Sequence, residues 1–409
     1  MRGVNIIVFG ATGFTGKFIV KELKNEKEVR GAKRLSYAVC GRSEEKLKSC
    51  FPEERAVVAD AADEESMVNA FTGADVVINA TGPYRFYGEA VMRACLLANS
   101  HYVDVSGEPA FLERAVVEFS EEYEKKKLIA IGSCGFDSIP ADLGAYFTST
   151  IFPSTQLISL IRAYHIVHNA SKANFTTFES AVHSMRNSGE LASIRKELPT
   201  SKVKLEYPGG KQKMTKAGDK LDSGLYSMPF PGADASVVRR SQATLFLRDK
   251  ITPVQFQCYF TVGSWFYVML SALFGILLTV MTSFPLGVNL LLRFPEFFSG
   301  GFFSREGPSD ELLDKSTFEM RFVAEGWNSA SESSGKPTRK VVTTFAGAED
   351  PFYRFTAAAV VASARCILEE RSKIPFGVHT PTVALRKTSI LDRLRKRGIK
   401  IQVVSDTQI

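Results

Sequence analysis

The 409-residue chain, 45% hydrophobic and 23% charged, has the composition of a globular protein with room for two domains and an insertion. Its formal net charge of +7 favours anionic partners, such as a phosphorylated cofactor or an anionic membrane surface. No basic patch carries the interleaved aromatics of a nucleic-acid site, so no nucleic-acid partner is expected. Six scattered cysteines without a CxxC pair (Cys40, Cys50, Cys95, Cys134, Cys258, Cys366) argue against a metal site or a disulfide framework and fit a reducing compartment.

Ile6-Ile7-Val8-Phe9 is a short apolar run of the kind that forms a buried parallel strand. Gly10, Ala11, Thr12, Gly13, Phe14, Thr15 and Gly16 follow, then a helical pattern with Ile19, Val20 and Leu23 on one face. Strand, glycine turn and helix in this order place a dinucleotide pyrophosphate on a helix N-terminus. The spacing is GxxGxxG rather than GxGxxG, and its position between a strand and a helix gives it meaning. Met1-Arg2-Gly3 runs directly into this strand, so no signal peptide is expected and the sequons at Asn169 and Asn174 are expected to be unused.

A second strand over 35–40 ends in Gly41-Arg42-Ser43. Proteins selective for NAD usually place a carboxylate here for the ribose 2′-hydroxyl. A guanidinium and a hydroxyl suit a 2′-phosphate instead, which favours NADP(H) over NAD(H). A third strand over 55–60 puts Asp60 near the adenine pocket, and Asp63–Phe71 reads as a helix with an acidic first turn. A fourth strand, 75–80, runs into Thr81-Gly82-Pro83-Tyr84, whose small residues let the backbone approach the nicotinamide side of a cofactor. A helix over 88–100, a strand over 102–105, a helix over 109–127 and a strand over 128–131 complete an alternating pattern that predicts a doubly wound parallel sheet. Tyr123 and Lys127 reproduce the YxxxK spacing of short-chain dehydrogenases. They lie in a run of charge (EEYEKKK) that reads as a solvated helix face.

Ser133 to Gly144 carries Asp137 and a helix start, Ser138-Ile139-Pro140-Ala141-Asp142, in which Ser138 is the expected cap. GATGFTG at 10–16, GRS at 41–43, NATGPY at 79–84, DVSGE at 104–108 and CGFDSIPADLG at 134–144 together resemble the saccharopine dehydrogenase-like oxidoreductases. GAEDPFY at 347–353 and FGVHTP at 376–381 resemble that family's turn into its last long helix and its closing loop. Asn174 stands where the family commonly has glycine. The resemblance implies an N-terminal Rossmann domain, a second α/β domain, C-terminal helices that return to the first domain, and a nicotinamide cofactor. It extends to relatives that reduce lipid enoyl groups, which implies a lipid as one substrate class.

The second domain is expected to open with a strand over 156–164 and a helix over 175–185, followed by a mobile loop over 195–220 and strands over 318–326 and 340–346. Between them, residues 251–292 contain no Asp, Glu, Lys or Arg. As one helix this run would reach about 63 Å, twice the hydrocarbon thickness of a bilayer. The chain before and after it must build the same domain, so it should enter and leave lipid from one side, bending at Gly275 or Pro285. Arg248, Lys250 and Arg293 flank it, and residues 386–400 add seven basic residues that could face solvent or lipid headgroups.

These readings predict three segments: 1–150 as a Rossmann domain, 151–346 as a second α/β domain carrying the apolar 251–292, and 347–409 as helices and a basic tail packing back on the first. The expected function is NADP(H)-dependent hydride transfer to or from an apolar or lipid substrate. The expected location is a lipid droplet or an ER or mitochondrial membrane, with the catalytic domains facing a reducing compartment; a homo-oligomer is compatible with it. Tyr84, Asp104 and Asp137 are the candidates for proton transfer, since no histidine pairs with a carboxylate by spacing. The alternative is a membrane-surface scaffold or redox sensor that binds nucleotide without turnover.

Overall fold

A computed structural model describes residues 3–28, 35–136, 138–169, 172–214, 216–333 and 335–409. The first apolar run forms β1 (Val4–Phe9) and leads through the glycine turn into α1 (Phe14–Glu28), which buries Ile19, Val20 and Leu23. Then come β2 (Tyr37–Gly41), α2 (Glu44–Cys50), β3 (Ala56–Val58) and α3 (Glu64–Phe71), the last capped by Asp63, which accepts from the Ser66 N–H at 3.1 Å. β4 (Ala74–Asn79), α4 (Tyr84–Ala98), β5 (His101–Asp104), α5 (Pro109–Lys125) and β6 (Ile129–Ile131) follow. These strands pair in parallel in the order β3-β2-β1-β4-β5-β6, the doubly wound order of dinucleotide-binding domains. The fold class is therefore α/β with a parallel Rossmann sheet.

α4 starts four residues earlier than expected, for a tertiary reason. Glu108, in the loop after β5, accepts from the N–H groups of Tyr84 (2.8 Å) and Arg85 (3.0 Å) and so caps the helix from outside. Tyr123 also departs from expectation. It is not on a solvated face but fully buried, donating to the Met92 carbonyl at 2.8 Å, while Lys127 is exposed. A helix surrounded by charge can still turn one side chain into the core every seventh position. Tyr123→Phe should therefore cost about 1 kcal/mol in denaturant melts and leave NADPH affinity unchanged in a fluorescence titration.

Ile139–Leu143 is a π-helical turn that continues into α6 (Gly144–Ser149). Ser138 makes no capping bond to it, contrary to expectation. Asp142 is the anchor instead, accepting from Ser241 Oγ (2.7 Å) and the Thr382 N–H (2.8 Å). β7 (Ile158–His168), the short β8 (Ala173–Asn174), α7 (Phe175–Arg186) and α8 (Ser188–Glu197) come next. Asn174 caps α7 by accepting from the Thr176 N–H at 3.0 Å. The segment expected as a loop over 195–220 begins in α8, and Gln212 within it is tied to Gln255 by two hydrogen bonds of 2.7 and 2.6 Å.

β9 (Asp219–Lys220), β10 (Tyr226–Pro229), α9 (Asp234–Asp249) and β11 (Gln255–Val262) precede the helical pair α10 (Trp265–Thr282) and α11 (Pro285–Arg293). The uncharged run is thus not one helix. Its first part is β11, whose alternate side chains face a packed sheet, and the turn between the two helices falls beside Pro285, with Gly275 left inside α10. α12 (Pro295–Phe298), β12 (Phe303–Ser304), α13 (Asp310–Lys315), β13 (Thr317–Gly326) and β14 (Arg339–Gly347) complete the second domain. Its sheet has the order β14-β13-β7-β11-β10-β9, with β7 and β11 parallel and the other neighbours antiparallel. Because β11 enters the hairpin and β13 lies after it in the same sheet, both ends of the hairpin are held on one side.

The last segment divides between the two sheets. α14 (Thr356–Glu370) is buried from Thr356 to Ile367 and packs on α1, β4 and β5. β15 (Gly377–His379) extends the first sheet beyond β6. α15 (Pro381–Leu385) and α16 (Ile390–Lys396) follow, and α16 buries Ile390 and Leu394 against α14. β16 (Lys400–Gln408), however, pairs antiparallel with β14 and forms the edge of the second sheet. The last strand therefore does not join the Rossmann sheet, because the open edge of β14 offers it a full ladder of hydrogen bonds. Three residues of the basic stretch are engaged within the protein, while Lys387, Arg395, Lys396 and Lys400 stay exposed. Arg386 pairs with Asp249 (2.6 Å), Arg393 with Glu369 (2.6 Å), and Arg397 with Glu22 (2.8 Å) and Glu349 (3.2 Å).

Candidate functional site

The loop after β1 sits at the carboxyl end of the sheet, between β2 and β4. The N–H groups of Gly10 and Ala11 donate to the Cys40 carbonyl at 3.0 and 3.1 Å, which fastens the turn to β2. Gly10 has φ +82°, and a Cβ there would lie 2.6 Å from Thr81 Oγ1. A Cβ on Gly16 would lie 2.2 Å from the Gly10 carbonyl oxygen, so α1 can approach the strand only through glycine. Gly13 is exposed at the crest of the loop, whereas Thr12, Phe14 and Thr15 are half-buried. Phe14 packs against Tyr353 at a centroid distance of 4.6 Å, so the GAEDPFY segment buttresses the glycine loop.

The remaining predicted contacts lie at neighbouring strand ends. Gly41 closes β2, Arg42 beside it is exposed, and Ser43 caps α2 by accepting from the Lys46 N–H at 3.3 Å. Asp60 is exposed after β3 and accepts from the Ala62 N–H at 3.0 Å. Thr81 and Gly82 are half-buried after β4, Pro83 is buried, and Thr81 Oγ1 has no hydrogen-bond partner among the described residues. These features fit a bound dinucleotide phosphate. The loop is cleared of side chains at Gly10, Gly13 and Gly16, its helix N-terminus is open, and an orphaned hydroxyl lies beneath it.

The proton-transfer candidates fare differently. Tyr84 is buried and donates its hydroxyl to the Asn79 carbonyl at 2.9 Å, an engagement that holds the end of β4. Burial, together with Asp104, holds its hydroxyl well above the usual tyrosine range. Asp104 is buried at the end of β5, where one carboxylate oxygen accepts from the N–H groups of Ser106 (2.9 Å) and Ser133 (2.8 Å). Its other oxygen has no hydrogen-bond partner among the described residues, and the residue borders a small void shared with Arg240 and His379. Asp137 lies outside the described residues.

Burial raises Asp104 to about 6, against the hydrogen bonds that lower it. The folded value then exceeds the unfolded one near 4, so the folded chain holds this proton more tightly. The resulting stabilisation is present at low pH and is lost as pH rises from about 4 through about 6. Asp104→Asn keeps an acceptor for both N–H groups and removes the charge. Its melting temperature relative to the wild type should climb across that window and then level off; a flat difference would contradict the assignment.

The helix expected over 175–185 is present as α7, but its position between this site and the apolar hairpin was not legible in the sequence. α7 places Thr176 against Gly82, where a glycine Cβ would come within 3.3 Å of its methyl. Ser180 donates to Glu108 at 2.8 Å, and the His183 carbonyl accepts from Arg85 at 3.1 Å. The opposite side of α7, with Phe178 and Val182, packs on Leu278, Val288 and Leu291 of the hairpin. The motif DVSGE contained the signal, since a glutamate just before a helix can also cap its neighbour.

A family profile described as the saccharopine dehydrogenase NADP binding domain matches residues 6–131. A human saccharopine dehydrogenase-like oxidoreductase is 34% identical over 428 residues, covering 100% of this chain and 99% of the relative. The chain belongs to the saccharopine dehydrogenase-like oxidoreductases. A lipid droplet localized protein of Caenorhabditis elegans is 30% identical over 430 residues and matches 99% of each chain. The apo saccharopine dehydrogenase (L-Glu forming) of Saccharomyces cerevisiae covers the whole of both chains with a TM-score of 0.55 at 14% identity, a likeness of fold. This saccharopine dehydrogenase-like oxidoreductase thus carries its family's NADP-binding domain on β1 to β6.

Proposed function

We propose that the protein transfers hydride between NADP(H) and an apolar, lipid-derived substrate while docked on a lipid-droplet or membrane surface. The observation that carries this reading is α10. It is the helix long and apolar enough to cross a membrane among the described residues, yet only 11% of it is buried in the protein. Phe266, Leu273 and Ile276 are each more than half exposed on it, which is costly in water and favourable against lipid. The hairpin shape and the common side of its two ends suit insertion into one leaflet or a phospholipid monolayer. The nematode relative's name supports the lipid-droplet part of the reading.

Within this scheme Gly10 to Gly16, Thr81 and Gly82 hold the pyrophosphate and nicotinamide side, and Arg42 pairs with the 2′-phosphate. When bound, the cofactor supplies the hydride; the protein orients it and keeps water away. A second reading, a nucleotide-binding surface scaffold or redox sensor without turnover, is favoured by one observation. Tyr84 spends its hydroxyl on Asn79, and Asp104 borders an internal void. Following NADPH absorbance with enoyl and carbonyl lipids presented in liposomes decides between them. Lipid-dependent NADPH loss, with Arg42→Ala weakening NADPH by roughly tenfold or more and NADH little, supports the enzyme. NADPH binding with no loss on any lipid replaces it with the scaffold.

A further inference from the structure

Beyond the nucleotide loops, the edge of the first sheet borders a cleft of about 700 Å³, within the range of small-ligand sites. β15 lies along it, α5 and α9 form its walls, and the turn at Leu198–Thr200 closes it. None of the residues assigned to NADP(H) lines it. About half of its lining is apolar, with Val116, Leu247, Phe376 and Val383 among those residues.

Into this cleft comes Arg240, only 9% exposed. One terminal nitrogen donates to the Leu112 carbonyl at 2.9 Å, while Nε is buried with no hydrogen-bond partner among the described residues. Arg240 has no ion-pair partner among the described residues. Glu113, the carboxylate that acts on it most strongly, is clamped by Arg195 at 2.9 and 3.1 Å, and Asp142 is held by Ser241 and Thr382. A guanidinium cannot shed its proton in a protein, so burying one without a counter-charge is costly. Arg248, two helical turns on, shares the same face of α9 and also lines the cleft. Its neighbour Asp249 is taken by Arg386. The carboxylate lining the cleft among the described residues, Glu124, packs by Gly377 at the amino end of β15, whereas Arg240 and His379 together border the void near Asp104.

We propose that this cleft binds a long-chain carboxylate, with its headgroup on the Arg240–Arg248 face of α9 and its chain along the apolar walls. The buried guanidinium supplies the charge-assisted hydrogen bonds a carboxylate accepts, and the walls supply the burial a chain needs. The site stands on Arg240 and is independent of the hydride-transfer reading.

Calorimetric titration of the full-length protein with oleate below its micelle concentration tests it. One oleate per chain is expected to bind saturably, with oleyl alcohol weaker by roughly tenfold or more. Arg240→Gln should weaken oleate by a similar factor while leaving the NADPH titration unchanged, which shows that the variant is folded. Should Arg240→Gln fail to fold, the exposed Arg248→Glu carries the same expectation of weakened oleate binding. Leu273→Glu/Ile276→Glu, on the hairpin, should retain oleate binding. Absence of saturable binding, equal affinity for oleyl alcohol, or binding lost only in the hairpin variant overturns the assignment. Any of these results with NADPH binding intact leaves the reductase reading standing.

Discussion

Gly16→Ala should abolish measurable NADPH binding. The new methyl would lie 2.2 Å from the Gly10 carbonyl oxygen and 2.8 Å from Ala11 Cα. Both are backbone atoms of the turn itself, and that turn is fixed to β2 by the N–H groups of Gly10 and Ala11. Relief therefore requires the first turn of α1 to move away from β1, which opens the cradle and withdraws the helix N-terminus from the phosphates. A loss of about 2.7 kcal/mol in cofactor binding corresponds to roughly a hundredfold in affinity. Overpacking of this kind also costs about 1–3 kcal/mol of stability. Gly13→Ala is the informative contrast. Its Cβ would lie 3.1 Å from the same oxygen, and its position is exposed. It should melt close to the wild type yet still weaken NADPH, because the methyl stands where the backbone must meet the cofactor. Fluorescence titration and thermal melts of the two variants separate the effects; Gly16→Ala with wild-type affinity would remove the glycine loop from the cofactor site.

Leu273→Glu/Ile276→Glu should release the protein from lipid without unfolding it. These side chains are 59% and 62% exposed, so the glutamates face open space and create no buried charge in the protein. In lipid, each ionised group near the middle of an inserted helix costs about 2.5–3.5 kcal/mol. Two of them lower partitioning on the order of a thousandfold or more. Flotation with neutral liposomes reads the effect directly, and the NADPH titration confirms the fold. Neutral lipid isolates the apolar contribution of α10, because Lys387, Arg395, Lys396 and Lys400 of the C-terminal stretch stay exposed. A variant that floats as well as the wild type would end the assignment of α10 to lipid.

What the sequence by itself determined was whatever local chemistry dictates. Runs such as Ile6–Phe9 and Val76–Ile78 are apolar over a strand's length and have nowhere to go but a buried sheet. Gly10, Gly13 and Gly16 announce a close approach because a Cβ has no room there. An uncharged stretch of 42 residues announces an apolar environment of some kind. Each of these can be read from residues a few positions apart.

Only the tertiary structure decided the rest, since it depends on partners far along the chain. Whether β11 is a strand or the start of a lipid-facing helix rests on β7, nearly 100 residues earlier, offering it a parallel edge. Tyr123 is core because Met92 has a carbonyl to spare. α4 begins at Tyr84 because Glu108 reaches back to cap it. β15 and β16 end up in different sheets because each sheet had one unpaired edge within reach. Arg240 has no direct ion pair among the described residues, and its strongest carboxylate neighbour, Glu113, is held by Arg195. Charge and hydrogen-bond satisfaction are settled by which groups meet in space, and sequence spacing does not record that for pairs brought together by folding.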